Sequence, residues 1–203
     1  MSQFFTIHPS HPQARLLNRA AQIVASGGLA IFPTETTYVL GCHIGDKSAL
    51  DRLRSVRALG KNHLLTLMVR DLSEISLYAR VENDNYRLLK QLTPGPFTVI
   101  LPATREAPRR LVHPKRKTIG LRVPDCPIAL GLLEALGEPM LTTTLRLPGD
   151  DMPITDAEAA RDRLERQVDL IVDGDHCGIE QSTVLDLTSA EPAVIRQGLG
   201  EFA

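Results

Sequence analysis

The sequence predicts a single α/β domain in which helices flank a twisted, mixed β-sheet. Helical periods alternate with short apolar runs along the chain, and some of those runs follow one another without a helix between them. At 203 residues the chain is long enough for one domain with a sizeable core. We therefore expect one domain over residues 1–203, with its core at roughly 14–200 and no second C-terminal domain.

Each element has a local signal. Residues 12–28 repeat apolar side chains at helical spacing and end in a glycine pair that suits a C-terminal cap. Residues 29–33 form an apolar run typical of a strand, and the helical pattern at 46–60 leads into another such run at 63–69. We interpret this strand, helix and strand as a crossover unit. The later part of the chain predicts helices at 83–92, 127–137 and from 156, and strands at 96–103, 117–124, 140–148, up to 174, 182–187 and 193–198.

Composition narrows the class of protein. The formal net charge is −1, so any affinity for polyanions must come from local clusters of cations. The three cysteines form no CxxC pair, which gives no support to a disulfide framework or a zinc site. The N-terminus shows no targeting pattern, and no segment has membrane-spanning length. We expect a soluble cytoplasmic protein with no protein-bound metal and no membrane partner.

Hydroxyl and cationic side chains collect at five places, most of them at the ends of predicted strands. They occur at 33–38, 55–63, 115–124, 141–149 and 181–198. Loops from several strands converge beyond strand ends in α/β sheets, so one polar pocket is the economical interpretation. A lining of Thr, Ser, Arg and Lys suits a phosphate ester or a carboxylate.

Five segments in order, "PTETTYVLG", "PGPFTVILPA", "TIGLRVP", "STVLDL" and "VIRQG", give the chain a resemblance to a known family. It resembles the YrdC-like L-threonylcarbamoyl-AMP synthases, and within them the YciO branch. The resemblance implies a concave, positively charged cavity and a nucleotidyltransferase reaction. L-threonine, bicarbonate and ATP with Mg²⁺ would condense to threonylcarbamoyl-AMP and pyrophosphate, the first step of t6A formation at position 37 of tRNA.

The resemblance also implies roles for single residues. The threonine substrate would be contacted by Thr34, His63, Arg122, Thr142 and Ser182, with Tyr38 on the same wall. The nucleotide would be contacted by Arg57, Lys61, Thr118, Thr144, Arg146 and Arg196. No residue is assigned as a nucleophile. From the residues alone, Thr34 also fits a simple turn cap after Pro33.

Two departures from the family pattern affect the nucleotide side. Ser55 stands where the family has the lysine of its K-x-R motif, and Arg146 stands where it has the asparagine of its S-A-N motif. The threonine side looks intact, so we expect a synthase of reduced activity in which Arg146 or Lys61 returns the missing charge.

A second hypothesis about function is based on a basic segment without acidic residues. It contains Arg109, Arg110, Lys115, Arg116, Lys117 and Arg122. Members of the family are associated with double-stranded RNA or tRNA. Lys115, Arg116 and Lys117 would then bind the phosphate backbone, in an RNA-binding module without efficient catalysis. Two simpler alternatives stay open, a solvated charged surface and a small-molecule binder without turnover.

Overall fold

One large sheet organises the part of the chain that the computed structural model describes, residues 1–60 and 63–202. Its strands are β1 (Gln3–Thr6), β2 (Ala30–Phe32), β3 (Val39–His43), β4 (Thr66–Met68), β5 (Phe97–Pro102), β6 (Thr118–Arg122), β7 (Met140–Thr144), β8 (Leu170–Asp173), β9 (Thr183–Asp186) and β10 (Ala193–Arg196). The helices are α1 (Ala14–Ala25), α2 (Lys47–Val56), α3 (Leu72–Tyr78), α4 (Asn83–Leu92), α5 (Pro127–Leu136) and α6 (Ala157–Leu164).

The strands lie in the order β1-β8-β2-β3-β7-β4-β6-β5-β9-β10. β8 pairs in parallel with β1 and β2, and β6 with β4, whereas β7 is antiparallel to both β3 and β4. The sheet is therefore mixed, and the predicted single α/β domain is confirmed.

Three elements were not predicted: β1, β3 and α3. Because β3 was not predicted, the predicted crossover unit began at the wrong strand. The strand that enters α2 is β3, and β3 runs parallel to β4 because both are antiparallel to the β7 that separates them. The predicted strand at 63–69 is shorter than expected, since only Thr66–Met68 is extended in the sheet.

Helices cover the two faces of the sheet unequally. On one face α2, α3, α4 and α6 pack in a core that includes Ile31, Leu141 and Leu185. On the other face α1 and α5 pack over one end of the sheet, against Phe32 and Met140 among others. The remaining part of that second face carries no helix in the described residues and forms a concave surface.

Local sequence brings α1 and α5 close together. Pro127 begins α5, where its missing N–H costs nothing, and Gly137 ends the helix in the left-handed conformation with φ of 72°. A Cβ added at Gly131 would lie 2.6 Å from the Leu17 side chain, so glycine permits the close approach of the two helices. No helix in the described residues combines the length and the apolar character needed to cross a membrane.

Candidate active site

A cavity of about 390 Å³ opens on the uncovered part of the second face. The strands β4, β5, β6, β7 and β9 form its floor. On β6 the side chains alternate: Ile119 and Leu121 enter the core, while positions 118, 120 and 122 line the cavity. Four of the five segments predicted to share a pocket contribute to this cavity, whereas no residue of 33–38 lines it. The cavity lies across the sheet face and not beyond the strand ends as we expected.

The strand register places four residues in line across the centre of the cavity floor. Thr66 on β4 lies opposite Thr142 on one side and Gly120 on the other, and Gly120 lies opposite Ile100 on β5. These four positions thus form a row across adjacent strands. A Cβ added at Gly120 would have only Thr98 Cγ2 within 4 Å, at 3.8 Å, so glycine keeps this part of the floor deep.

Most of the residues predicted for the site come together in this cavity. They are Arg57, His63, Thr118, Arg122, Thr142, Thr144, Arg146, Ser182 and Arg196. Arg116, predicted to bind RNA, also lines it. Lys115 and Lys117 are exposed outside it, and Lys61 lies outside the described residues. The binding roles given to these residues stay predictions.

Thr34 and Tyr38 do not line the cavity. The Thr34 hydroxyl donates to the Thr37 carbonyl at 2.7 Å and accepts from the backbone N–H groups of Thr36 and Thr37, which is the turn-capping alternative. Tyr38 is fully buried, and its hydroxyl donates to the Asp175 carbonyl at 2.8 Å. Burial raises the pKa of Tyr38 well above its usual value. The expected threonine wall at Tyr38 is thus part of the core.

Arg122 is held at the edge of the cavity by an ion pair. Its Nη2 donates to Glu35 Oε1 and to Thr36 Oγ1, each at 2.8 Å. Its Nε and the Oε2 of Glu35 are buried without a partner among the described residues. The turn at 34–37 therefore fixes half of this guanidinium and leaves hydrogen-bonding capacity on the rest.

Ser182 belongs to a hydroxyl and arginine cluster at the far wall. Its Oγ lies 2.8 Å from Thr98 Oγ1, and Arg196 Nη2 donates to its carbonyl oxygen at 2.8 Å. Burial, and then the nearby Arg122, lower the pKa of Arg196. Arg196 thus stabilises the backbone at the start of β9 and also adds positive charge to the cavity.

The opposite wall carries cations that repel one another. Burial and the charge of Arg146 lower the pKa of Arg57, and burial with the charges of Arg57 and Arg54 lowers the pKa of His63. No Asp or Glu lines the cavity within the described ranges. An anion bound here would relieve this repulsion, so the site is suited to phosphate or carboxylate groups.

Ser55, which stands at the position of the family's lysine, is exposed on α2 and does not line the cavity, whereas Arg57 does. The loss of one phosphate cation at Ser55 stays a prediction. Positive charge reaches the cavity from Arg116 and Arg146 instead.

Sequence reasoning missed several residues of the lining, namely Thr66, Thr98, His113 and Gln181. Thr66 and Thr98 are polar positions within otherwise apolar strand segments, which is a signal that could have identified them. His113 and Gln181 lie outside the strands and gave no comparable signal.

Residues 22–198 match the family model Sua5/YciO/YrdC, described as "Telomere recombination". The chain belongs to this family. It is similar to YciO of Escherichia coli K12, with 54% identity over 201 residues, 99% of this chain and 98% of the relative. The crystal structure of E. coli YciO superposes with a TM-score of 0.94 over 99% of this chain and 98% of that one.

More distant relatives carry the synthase name. The threonylcarbamoyl-AMP synthase of Bacillus subtilis is 31% identical over 195 residues, 95% of this chain but only 54% of the relative. The structure of Pyrococcus abyssi Sua5 complexed with L-threonine has a TM-score of 0.89 at 26% identity, over 97% of this chain and 58% of that one. The chain thus spans little more than half of these synthases, and its family is one that contains enzymes.

Proposed function

We propose that the protein is a nucleotidyltransferase that condenses L-threonine, bicarbonate and MgATP to threonylcarbamoyl-AMP and pyrophosphate. The observation that carries the proposal is a cavity lined by hydroxyls and arginines, without acidic residues in the described lining. The same fold in P. abyssi Sua5 was solved with L-threonine, which supports threonine as one substrate.

The chemistry requires positioning and charge stabilisation but no covalent bond to the protein. The threonine amine adds to the carbon of bicarbonate, and loss of water leaves a carbamate. A carbamate oxygen then attacks the α-phosphorus of ATP, the bond from that phosphorus to the bridging oxygen breaks, and pyrophosphate leaves. Fixed cations around the phosphates would stabilise the charge that develops on pyrophosphate.

Each wall of the cavity has a proposed role in this reaction. Arg122, already oriented by Glu35, would hold the threonine carboxylate with the remaining edge of its guanidinium. Arg57 and Arg146 would contact the phosphates, which would reduce their mutual repulsion. The product would serve t6A formation on tRNA in the cytoplasm.

Threonine-dependent pyrophosphate release tests the proposal. Purified protein is incubated with MgATP, bicarbonate and L-threonine at enzyme concentrations that reveal a single turnover, with D-threonine as the matched control. We expect slow release of pyrophosphate and formation of threonylcarbamoyl-AMP with the L-isomer alone, and loss of both in Arg122→Ala. Absence of any threonine-dependent release would rule out the synthase function.

A second candidate function is binding of double-stranded RNA or tRNA. Lys115 and Lys117 are exposed, and Lys117 lines a separate depression together with Arg105 and Arg109. These cations would meet a phosphate backbone without reading its sequence.

A further inference from the structure

His113 lies in a closed turn on the rim of the cavity, directly before β6. Its backbone N–H donates to the Thr118 carbonyl at 2.8 Å, and the Lys117 N–H donates to the His113 carbonyl at 2.9 Å. Lys117 adopts a φ of 58°, which lets the chain reverse within this short segment. The residues between 113 and 118 therefore project from the rim as one unit, called here the rim turn.

The imidazole of His113 caps the rim turn. Its Nδ1 accepts the backbone N–H groups of Lys115 at 3.2 Å and Arg116 at 3.1 Å. An acceptor nitrogen has a lone pair and no proton, so the neutral ring carries its proton on Nε2. The two hydrogen bonds therefore select one tautomer and turn a donor away from the backbone.

The His113 side chain also lines the cavity. His113 lines it next to Arg116, and neither Nε2 nor the Arg116 guanidinium has a hydrogen-bond partner in the described part of the chain. The Nε2–H group is thus a donor of fixed direction in a site whose other charged groups are cations. Water can accept this hydrogen bond in the free protein, and an acceptor oxygen of a bound phosphate or carboxylate can take its place.

The chain contains the same turn in a place where it can have no such role. His8 also precedes a proline, and its Nδ1 accepts the backbone N–H groups of Ser10 at 3.2 Å and His11 at 3.1 Å. This N-terminal turn is exposed and lies outside the cavity lining. The turn therefore forms without a cavity beside it, although not at every His-Pro sequence, since His11 precedes Pro12 and no backbone N–H of the described residues donates to its Nδ1. What distinguishes His113 is that its ring lines the cavity.

We propose that His113 has two separable functions at the cavity. Through Nδ1 it is a positioning residue that fixes the backbone of Arg116, and through Nε2–H it donates a hydrogen bond to an anionic oxygen of the ligand. The proposal rests on the proposed function only for the identity of that ligand, a polyphosphate, and it requires no turnover.

Two substitutions at the same position separate these functions. In His113→Asn the side-chain oxygen takes about the place of Nδ1 and caps the turn, but nothing replaces Nε2–H. In His113→Gln the longer amide reaches toward the position of Nε2, but the turn loses its acceptor. Each variant is combined with Arg116→Ala, and binding of inorganic pyrophosphate is measured by calorimetry. His8→Asn and His8→Gln are the matched controls.

Distinct results are expected for the two variants. His113→Asn should weaken pyrophosphate binding about tenfold or more, the value of one hydrogen bond to a charged group, and Arg116→Ala should cost as much in this background as in the wild type. In His113→Gln, Arg116→Ala should cost much less, because Arg116 is already displaced. The His8 variants should bind like the wild type.

An unchanged affinity in His113→Asn would overturn the donor function, and additive costs in His113→Gln with Arg116→Ala would overturn the positioning function. If a variant fails to fold, ¹⁵N spectra of the wild-type imidazoles decide. The Nε2 resonance of His113 should shift on addition of pyrophosphate while Nδ1 stays an acceptor, and an unshifted resonance or no pyrophosphate binding contradicts the proposal. Since threonine is absent throughout, failure of the synthase function would leave these results unchanged.

Discussion

Arg122 Nη2 lies 2.8 Å from Glu35 Oε1 in an ion pair whose arginine side chain is 6% exposed and whose glutamate side chain is 16% exposed. The pair joins the 34–37 turn to β6 and fixes the guanidinium before any ligand binds. Removal of one partner from a buried pair leaves the other charge without compensation, which costs more than the pair contributes.

We therefore predict strong coupling between these two side chains. Arg122→Ala should lower the free energy of unfolding by about 3–5 kcal/mol, and adding Glu35→Ala should recover part of that loss. Urea denaturation of the two single variants and the double variant measures the coupling. Additive losses would show that the contact contributes little.

Removing the charge of Arg146, which repels Arg57, should raise the stability of the free protein but weaken ligand binding. Because the two cations repel each other, Arg146→Gln should stabilise the free protein, by less than about 1 kcal/mol since Arg146 is exposed. The same change should weaken pyrophosphate binding about tenfold. Thermal melts with and without pyrophosphate measure both effects, with the exposed Arg166→Gln as control. A variant that melts lower yet binds normally would contradict this role.

Gly120 should control the depth of the cavity without supporting the fold. The Cβ added in Gly120→Ala and Gly120→Val has only Thr98 Cγ2 within 4 Å, so stability should be retained in the alanine variant. The larger valine extends further into the cavity, so ATP and threonine binding should weaken progressively from alanine to valine. β-branched side chains also favour strands. Denaturation and calorimetry on both variants test this, with Ala193→Val on the exposed β10 as a control. Full ligand affinity in Gly120→Val would place the ligand elsewhere.

Lys115 and Lys117 should matter for RNA and not for nucleotide. Lys115→Ala with Lys117→Ala should weaken binding of a double-stranded RNA and reduce the slope of log affinity against log salt by about 1–2, while MgATP binding stays close to the wild type. Arg15→Ala with Arg19→Ala removes the same charge from α1 and should have no such effect. Identical salt series for both double variants would identify the rim lysines as a solvated surface.

Cys177 should make the protein sensitive to alkali. Burial raises its pKa to about 12, whereas a thiol in the unfolded chain titrates near ~8.5. The folded state retains the proton longer, so this contribution to stability is complete below pH ~8.5 and is lost as pH rises toward 12. Unfolding free energies between pH 7 and 11 should fall less steeply in Cys177→Ala. Equal slopes would show that the thiol does not titrate with unfolding.

The sequence predicted the sheet class and most helices, because their signals are local. It missed β3, where four of five residues are buried and no alternation marks the strand, and the edge strand β1, which is short. The order of the strands depends on non-local pairing, above all on β7 lying between β3 and β4. No local pattern carries that information.

The same distinction applies to the cavity. Arg122, Thr142 and Ser182 were found because they lie in motifs that resemble the family, whereas Thr66 and Thr98 enter the site through register with distant strands. The ion pair between Glu35 and Arg122 also joins residues far apart in the chain, and no local pattern connects them.

The alternation along β6 has an evolutionary consequence. Ile119 and Leu121 stabilise the molecule, while Thr118 and Gly120 face a surface that no helix covers in the described residues. Substitutions at Thr118 and Gly120 can therefore accumulate with little effect on the core, whereas Arg122 lines the same cavity but also stabilises the fold through Glu35. A protein built in this way can acquire a new ligand preference and keep its core, because neighbouring residues of one strand are under selection for different properties.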